Sequence, residues 1–128
     1  MQRILVVDDD VEICRILRDF LTLKGYEVSI TWDGVSALQQ VKAVRPHIVL
    51  LDITMPGMDG ITTLQEIKKI DATIGVIMIT AVIDEDLAKR AITLGAYEYI
   101  TKPVDFNYLD TVLMVIIADL LGSQESCM

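Results

Sequence analysis

Five times along this chain a short run of β-branched and aliphatic residues gives way to a stretch with helical apolar spacing, and that alternation leaves few folds open. Ile4 to Val7 reads as a buried strand. After it, Ile13, Ile16, Leu17, Phe20 and Leu21 recur at the spacing of one helix face, with Glu12, Arg15, Arg18 and Asp19 between them. Gly25 stops that helix. Glu27 to Thr31 is the second strand; Asp33-Gly34 then opens a helix with Ala37, Leu38 and Val41 inward, and Pro46 closes it. Ile48 to Leu51 is the third strand, and its unbroken apolar run fits a strand covered on both faces. Ile61, Leu64 and Ile67 mark the third helix and Val76 to Ile79 the fourth strand. Leu87, Ala88, Ala91 and Ile92 mark the fourth helix, which Gly95 ends, and Glu98 to Ile100 is a short fifth strand. Leu109, Val112, Leu113, Ile116 and Leu120 line the last helix.

Strands alternating with helices predict an α/β fold, a single doubly wound five-stranded parallel sheet with right-handed crossovers and five helices on its two faces. The 128 residues suit one domain, and 52% apolar content with 5% aromatics makes its core aliphatic. We place the domain at residues 1–121 and read 122–128 as a polar tail or the start of a linker, which favours an excised N-terminal domain over a stand-alone one. A formal charge of −8 argues against direct binding to nucleic acid and suits cations and basic surfaces. The longest apolar run, Val112 to Ala118, is too short to span a bilayer, and the start of the chain has no leader pattern. Cys14 falls in a helical apolar pattern and Cys127 in the polar tail; they make no disulfide framework or metal spacing, so a cytoplasmic setting is expected.

Such sheets bind ligands beyond the carboxyl ends of their strands, where the strand order reverses. Strand 1 here ends in Asp8-Asp9, strand 3 in Asp52, strand 4 in Thr80 and strand 5 in Thr101-Lys102-Pro103. Crowded carboxylates repel one another unless a cation intervenes. Hard oxygen donors with no His or Cys nearby favour Mg²⁺, with Mn²⁺ as the alternative. Lys102 and Thr80 add an ammonium and a hydroxyl suited to phosphoryl oxygens, so the set equips the edge for phosphoryl transfer. Taken singly, a strand-end aspartate is more often a helix cap, and Asp10 reads as one. Lone Thr80 reads as a turn residue and lone Lys102 as a surface charge; their alignment at four strand ends is what favours chemistry.

The segments ILVVDDD at 4–10, IVLLDITMPGMDG at 48–60, VIMITA at 76–81 and GAYEYITKP at 95–103 resemble, in this order and spacing, the receiver domains of bacterial two-component response regulators. The likeness runs over residues 3–121. It implies the flavodoxin-like strand order 2-1-3-4-5, whose reversal lies between strands 1 and 3. It also implies Asp52 as phosphoacceptor, Asp9 and Asp52 as direct Mg²⁺ ligands, Asp8 as a ligand through water, and Thr54 as a ligand through its backbone carbonyl. Thr80 matches the switch hydroxyl, Lys102 the phosphoryl-pairing lysine, Tyr99 the aromatic switch and Pro103 a proline after a cis peptide. Ala81, small and beside Thr80, leaves room for the phosphodonor. The implied partners are a sensor histidine kinase or phosphotransfer protein, and helix 4, strand 5 and helix 5 form the implied output or homodimer face. A second apolar stripe, Met114, Ile117 and Leu121, fits either that face or a wide core face. Thr54 and Val82 bring no acid or amide to hydrolytic water, so no special acceleration of dephosphorylation is expected.

Two other classes compete. A haloacid-dehalogenase-type phosphatase also uses a strand-end aspartate, but it needs a second aspartate where this chain has Thr54, and a cap domain. A flavodoxin-like nucleotide binder needs a glycine- and hydroxyl-rich loop after strand 1, where this chain has three aspartates.

Overall fold

A computed structural model describes residues 2–125, with side chains as far as residue 119. The elements run β1 (Arg3–Val7), α1 (Val11–Leu23), β2 (Glu27–Thr31), α2 (Gly34–Val44), β3 (Ile48–Leu51), α3 (Gly60–Ile70), β4 (Gly75–Thr80), α4 (Glu85–Thr93), β5 (Glu98–Thr101) and α5 (Phe106–Glu125). The five strands form one parallel sheet in the order β2-β1-β3-β4-β5. The fold and strand order are those expected, and the strand order reverses between β1 and β3.

Alternation along the strands explains why helices cover both faces. Ile4, Val6, Ile48, Leu50, Ile77 and Ile79 face α1 and α5, where they meet Cys14, Leu17, Leu21, Leu109, Leu113 and Ile116. Leu5, Val7, Val49, Leu51, Val76 and Met78 face α2, α3 and α4, against Ala37, Val41, Leu64, Ile67 and Ala91. All four residues of β3 are buried, as its unbroken apolar run predicts.

Each helix begins just beyond the carboxyl end of a strand, and an aspartate meets its free amides. Asp10, Asp33, Asp59 and Asp84 cap α1 to α4 with carboxylate oxygens, and Asp105 accepts from the Tyr108 amide at the start of α5. The cap expected at Asp10 is therefore present.

The helix faces differ from expectation in places. Ile16 and Ile92 are 43% and 46% exposed, at the rim of faces whose buried centres include Cys14 and Ala91, both expected inward. In the second stripe of α5, Met114 is 62% exposed while Ile117 packs on the core, so the stripe divides between surface and interior. The Leu120 and Leu121 side chains lie outside the described residues, as does Cys127. Helix α5 runs to Glu125, into the segment read from the sequence as a polar tail or the start of a linker. Among the described residues no helix is long and apolar enough to cross a membrane.

Candidate functional site

Two backbone hydrogen bonds carry the sheet ladder past the strand ends and set the site. The Asp52 amide donates to Val7 O (3.0 Å) and the Asp8 amide to Thr31 O (3.2 Å). These bonds place Asp8 and Asp52 side by side where β1 and β3 end, both nearly buried at 3% and 5% exposure. Asp9, the next residue, is exposed. One carboxylate oxygen from each of Asp8, Asp9 and Asp52 lies within 4.8 Å of the others.

Lys102 reaches this cluster from the end of β5. Its amide donates to Thr80 O (2.9 Å), and the following Lys102–Pro103 peptide is cis. The ammonium donates to Asp8 Oδ2 at 2.7 Å and to Asp52 Oδ2 at 3.3 Å. The other oxygens are held by backbone amides: Asp10 N–H donates to Asp8 Oδ1 (2.9 Å) and Thr54 N–H to Asp52 Oδ1 (3.3 Å). Burial pulls the Lys102 ammonium toward neutrality, but the Asp8 hydrogen bond and the Asp52 and Asp8 charges outweigh it and leave its pKa above the ordinary value. Burial raises the Asp8 pKa, the Lys102 and Asp10 hydrogen bonds lower it, and the Asp52 charge adds to the rise; the net direction is upward. One ammonium bonded to two of three clustered carboxylates leaves a surplus of negative charge, partly buried at Asp8 and Asp52 and exposed at Asp9.

Thr80 ends β4 at the same edge and is fully buried. Its Oγ1 accepts from Val82 N–H (3.3 Å), and the carbonyl of the same Val82 accepts from the Tyr99 hydroxyl (2.7 Å). Tyr99 is half-buried against the α4 side of the sheet, and burial raises its pKa, helped by the Asp84 and Asp52 charges. Ala81 and Thr54 are exposed beside these groups. All the residues singled out in the sequence thus sit at one sheet edge.

Two contributors were not singled out for the site. Cys14, expected only as packing, is buried and donates its thiol to Asp8 O (3.2 Å). Burial, with the Asp8 and Asp10 charges, pushes that thiol up to about 11, so it stays protonated. Its position in the first turn of the helix after Asp8 was the available signal. Gly60, the first residue of α3, donates to Ile53 O (2.8 Å) beside Asp52. It lay within the quoted motif, but nothing local in the sequence marks its contact.

Comparison with known proteins decides the family. The model of the response regulator receiver domain matches residues 4–114. This chain belongs to the response regulator receiver domain family. Receivers are signalling domains of two-component systems, and the chain is similar over 106 residues, at 45% identity, to the chemotaxis protein CheY of Treponema pallidum, covering 80% of this chain and 74% of the relative. It is 43% identical over 110 residues to the transcriptional regulatory protein ZraR of Salmonella typhimurium, covering 86% of this receiver but only 25% of ZraR. Among solved structures, a chain of the CheX–CheY–BeF3–Mg²⁺ complex of Borrelia burgdorferi superposes with a TM-score of 0.86 at 37% identity, over 91% of this receiver and 89% of that chain.

Proposed function

We infer that this receiver is a phosphorylation switch in which Asp52 takes a phosphoryl group from a phosphohistidine on a sensor kinase or phosphotransfer protein. The observation that carries the reading is the Lys102 ammonium shared between Asp8 and Asp52, with Asp9 completing three carboxylates whose oxygens converge within 4.8 Å. The all-oxygen donor set and its surplus negative charge fit Mg²⁺, with Mn²⁺ as a substitute. Asp9 and Asp52 would hold it directly, Asp8 through water, and Thr54 through its carbonyl. Bound there, the ion neutralises carboxylate and phosphoryl charge. The likeness to a chain of a complex named for BeF3 and Mg²⁺ supports the same reading.

The remaining steps belong to the chain's own groups. An Asp52 carboxylate oxygen attacks phosphorus in line; the bond from phosphorus to the donor nitrogen breaks, and the imidazole leaves with its electron pair. Lys102 keeps one donor on Asp8 and offers another to a phosphoryl oxygen, stabilising charge where it develops. Exposed Ala81 leaves the approach open. Thr80 then turns its hydroxyl toward the phosphoryl group and gives up the Val82 amide. Val82 also anchors Tyr99, so loss of that bond frees the loop between β4 and α4 and biases the Tyr99 position. The readout surface is α4, β5 and α5, where Ile92, Tyr97, Tyr108, Met114 and Val115 are exposed; an effector or a second copy of the receiver meets it. With Thr54 and Val82 supplying no acid or amide, the acyl phosphate outlives seconds.

Incubation with acetyl phosphate and Mg²⁺, read by intact mass, tests the switch. One base-labile phosphoryl adduct is expected, absent in Asp52→Asn and in EDTA. No adduct on the wild-type chain, or steady turnover of phosphate monoesters, would overturn it and favour the phosphatase.

A further inference from the structure

Asp52 is held on one side by the sheet, through its amide on Val7 O. On the other side it is met by Gly60. A Cβ built on Gly60 would fall inside contact distance of Asp52 O, 2.5 Å from Ile53 Cα and 2.8 Å from the Asp52 carbonyl carbon. These are backbone atoms, with no rotamer to yield. Gly60 N–H also donates to Ile53 O at 2.8 Å, so the contact is bonded as well as close. Asp59 fixes the helix start that delivers Gly60, its carboxylate accepting from Thr62 N–H at 2.9 Å. The loop from Asp52 to Gly60 is therefore closed on itself, with the start of α3 seated on the peptide that follows Asp52.

We propose that Gly60 is a positioning residue for Asp52: the first turn of α3, bare of a side chain at this one position, sets the peptide plane from which the Asp52 carboxylate is aimed at Lys102 and at the cation. This rests on the reading of Asp52 as the phosphoacceptor. A methyl group at Gly60 must push the 52–53 peptide away from α3, and the Asp52 side chain swings with it. The carboxylate makes only a 3.3 Å contact with Lys102 and a 3.3 Å contact with the Thr54 amide, so a small tilt breaks both.

Ile116 supplies the control. It is buried in the core on α5 and lies against Gly75 at the start of β4, the end of the sheet opposite Asp52. Ile116→Ala therefore loses stability without re-aiming the carboxylate.

The test compares wild type, Gly60→Ala and Ile116→Ala for melting temperature, for Mg²⁺ affinity, and for the rate of the acetyl phosphate adduct. Isothermal titration calorimetry reads the Mg²⁺ affinity. Gly60→Ala is expected to weaken Mg²⁺ and slow the adduct by roughly ten- to a hundredfold, the cost of a misplacement of about 1 Å. Ile116→Ala is expected to melt lower and keep both values. A folded Gly60→Ala with wild-type Mg²⁺ affinity and rate overturns the proposal, as does an equal loss in Ile116→Ala. If Gly60→Ala does not fold, amide hydrogen exchange on the wild type decides. Coupling between the clamp and the carboxylate is reciprocal, so Mg²⁺ must slow exchange at Gly60 N–H; unchanged exchange overturns the proposal. A wild-type chain that takes no phosphoryl group fails the switch reading instead, while Mg²⁺ affinity and Gly60 exchange still report on positioning alone.

Discussion

At the scale of single residues, the site is an arrangement of mutually opposed charges. Asp9 is exposed and contributes a third negative charge to a pair already sharing one lysine. Its replacement moves two properties in opposite directions. Asp9→Asn removes repulsion and should raise the metal-free melting temperature by about a few degrees. The same change should weaken Mg²⁺ severalfold or more, so that Mg²⁺ stabilises the variant less than the wild type by mass action. Thermal melts with EDTA and with Mg²⁺ check both signs; a variant that melts lower in EDTA contradicts the charge argument. These carboxylates were legible in the sequence because strand ends in a parallel sheet fall at one edge, so four short segments suffice to assemble them. Gly60 was not, because its need to be glycine arises from backbone eight residues earlier in the chain that only the folded loop brings near.

At the scale of elements, the strands were the easiest to read and the helix faces the hardest. Strands β2 and β3 have the bounds expected from their β-branched runs, because both ends carry turn chemistry or charge. Helices α1 and α4 turn slightly from the expected face. Apolar spacing alone does not distinguish a small residue pointing at the sheet, as Cys14 and Ala91 do, from a large one at the rim, such as Ile16 and Ile92. Helix α5 carries apolar residues on most sides, so its inward face emerges only from packing. Leu113 is fully buried there and Met114 is 62% exposed, although they are neighbours in sequence. Leu113→Ala should cost about 2–4 kcal/mol in urea denaturation, and Met114→Ala no more than about 0.5 kcal/mol. Equal losses would mean that α5 does not sit as described.

At the scale of the whole molecule, the two ends of the sheet respond differently to pH. Opposite the carboxylates, Arg3 N–H donates to His47 Nδ1 at 2.9 Å, and the Arg3 guanidinium binds Val44 O and Arg45 O. Burial, then the Arg3 charge, lowers the His47 pKa, so the folded chain keeps this imidazole neutral. The unfolded chain takes up that proton near the ordinary value of about 6.5. Stability should therefore fall as pH drops below that value and level off once the folded pKa is passed. His47 is the single histidine of the chain. Urea midpoints at about pH 7.5 and about pH 5.5 should differ more for wild type than for His47→Gln, a comparison in which carboxylate titration cancels. An identical drop in both would remove His47 as the cause.

The aspartate that opens every helix has an effect far from the caps themselves. Because all five helices start at one end of the sheet, Asp10, Asp33, Asp59, Asp84 and Asp105 join Asp8, Asp9 and Asp52 there, while Arg3 and Lys68 occupy the far end, tied to carbonyl oxygens. Carboxylates are thereby concentrated at one end of the strands, with Lys102 among them, while at the other end Asp71 beside Arg45 offsets only part of the cationic charge. In the field of a cationic partner such a body rotates before it touches, leading with the end that carries the chemistry, and fewer collisions are spent on the wrong side. Dissolved salt shortens the reach of that torque to about 8 Å at physiological strength, so alignment is a matter of the last few water layers.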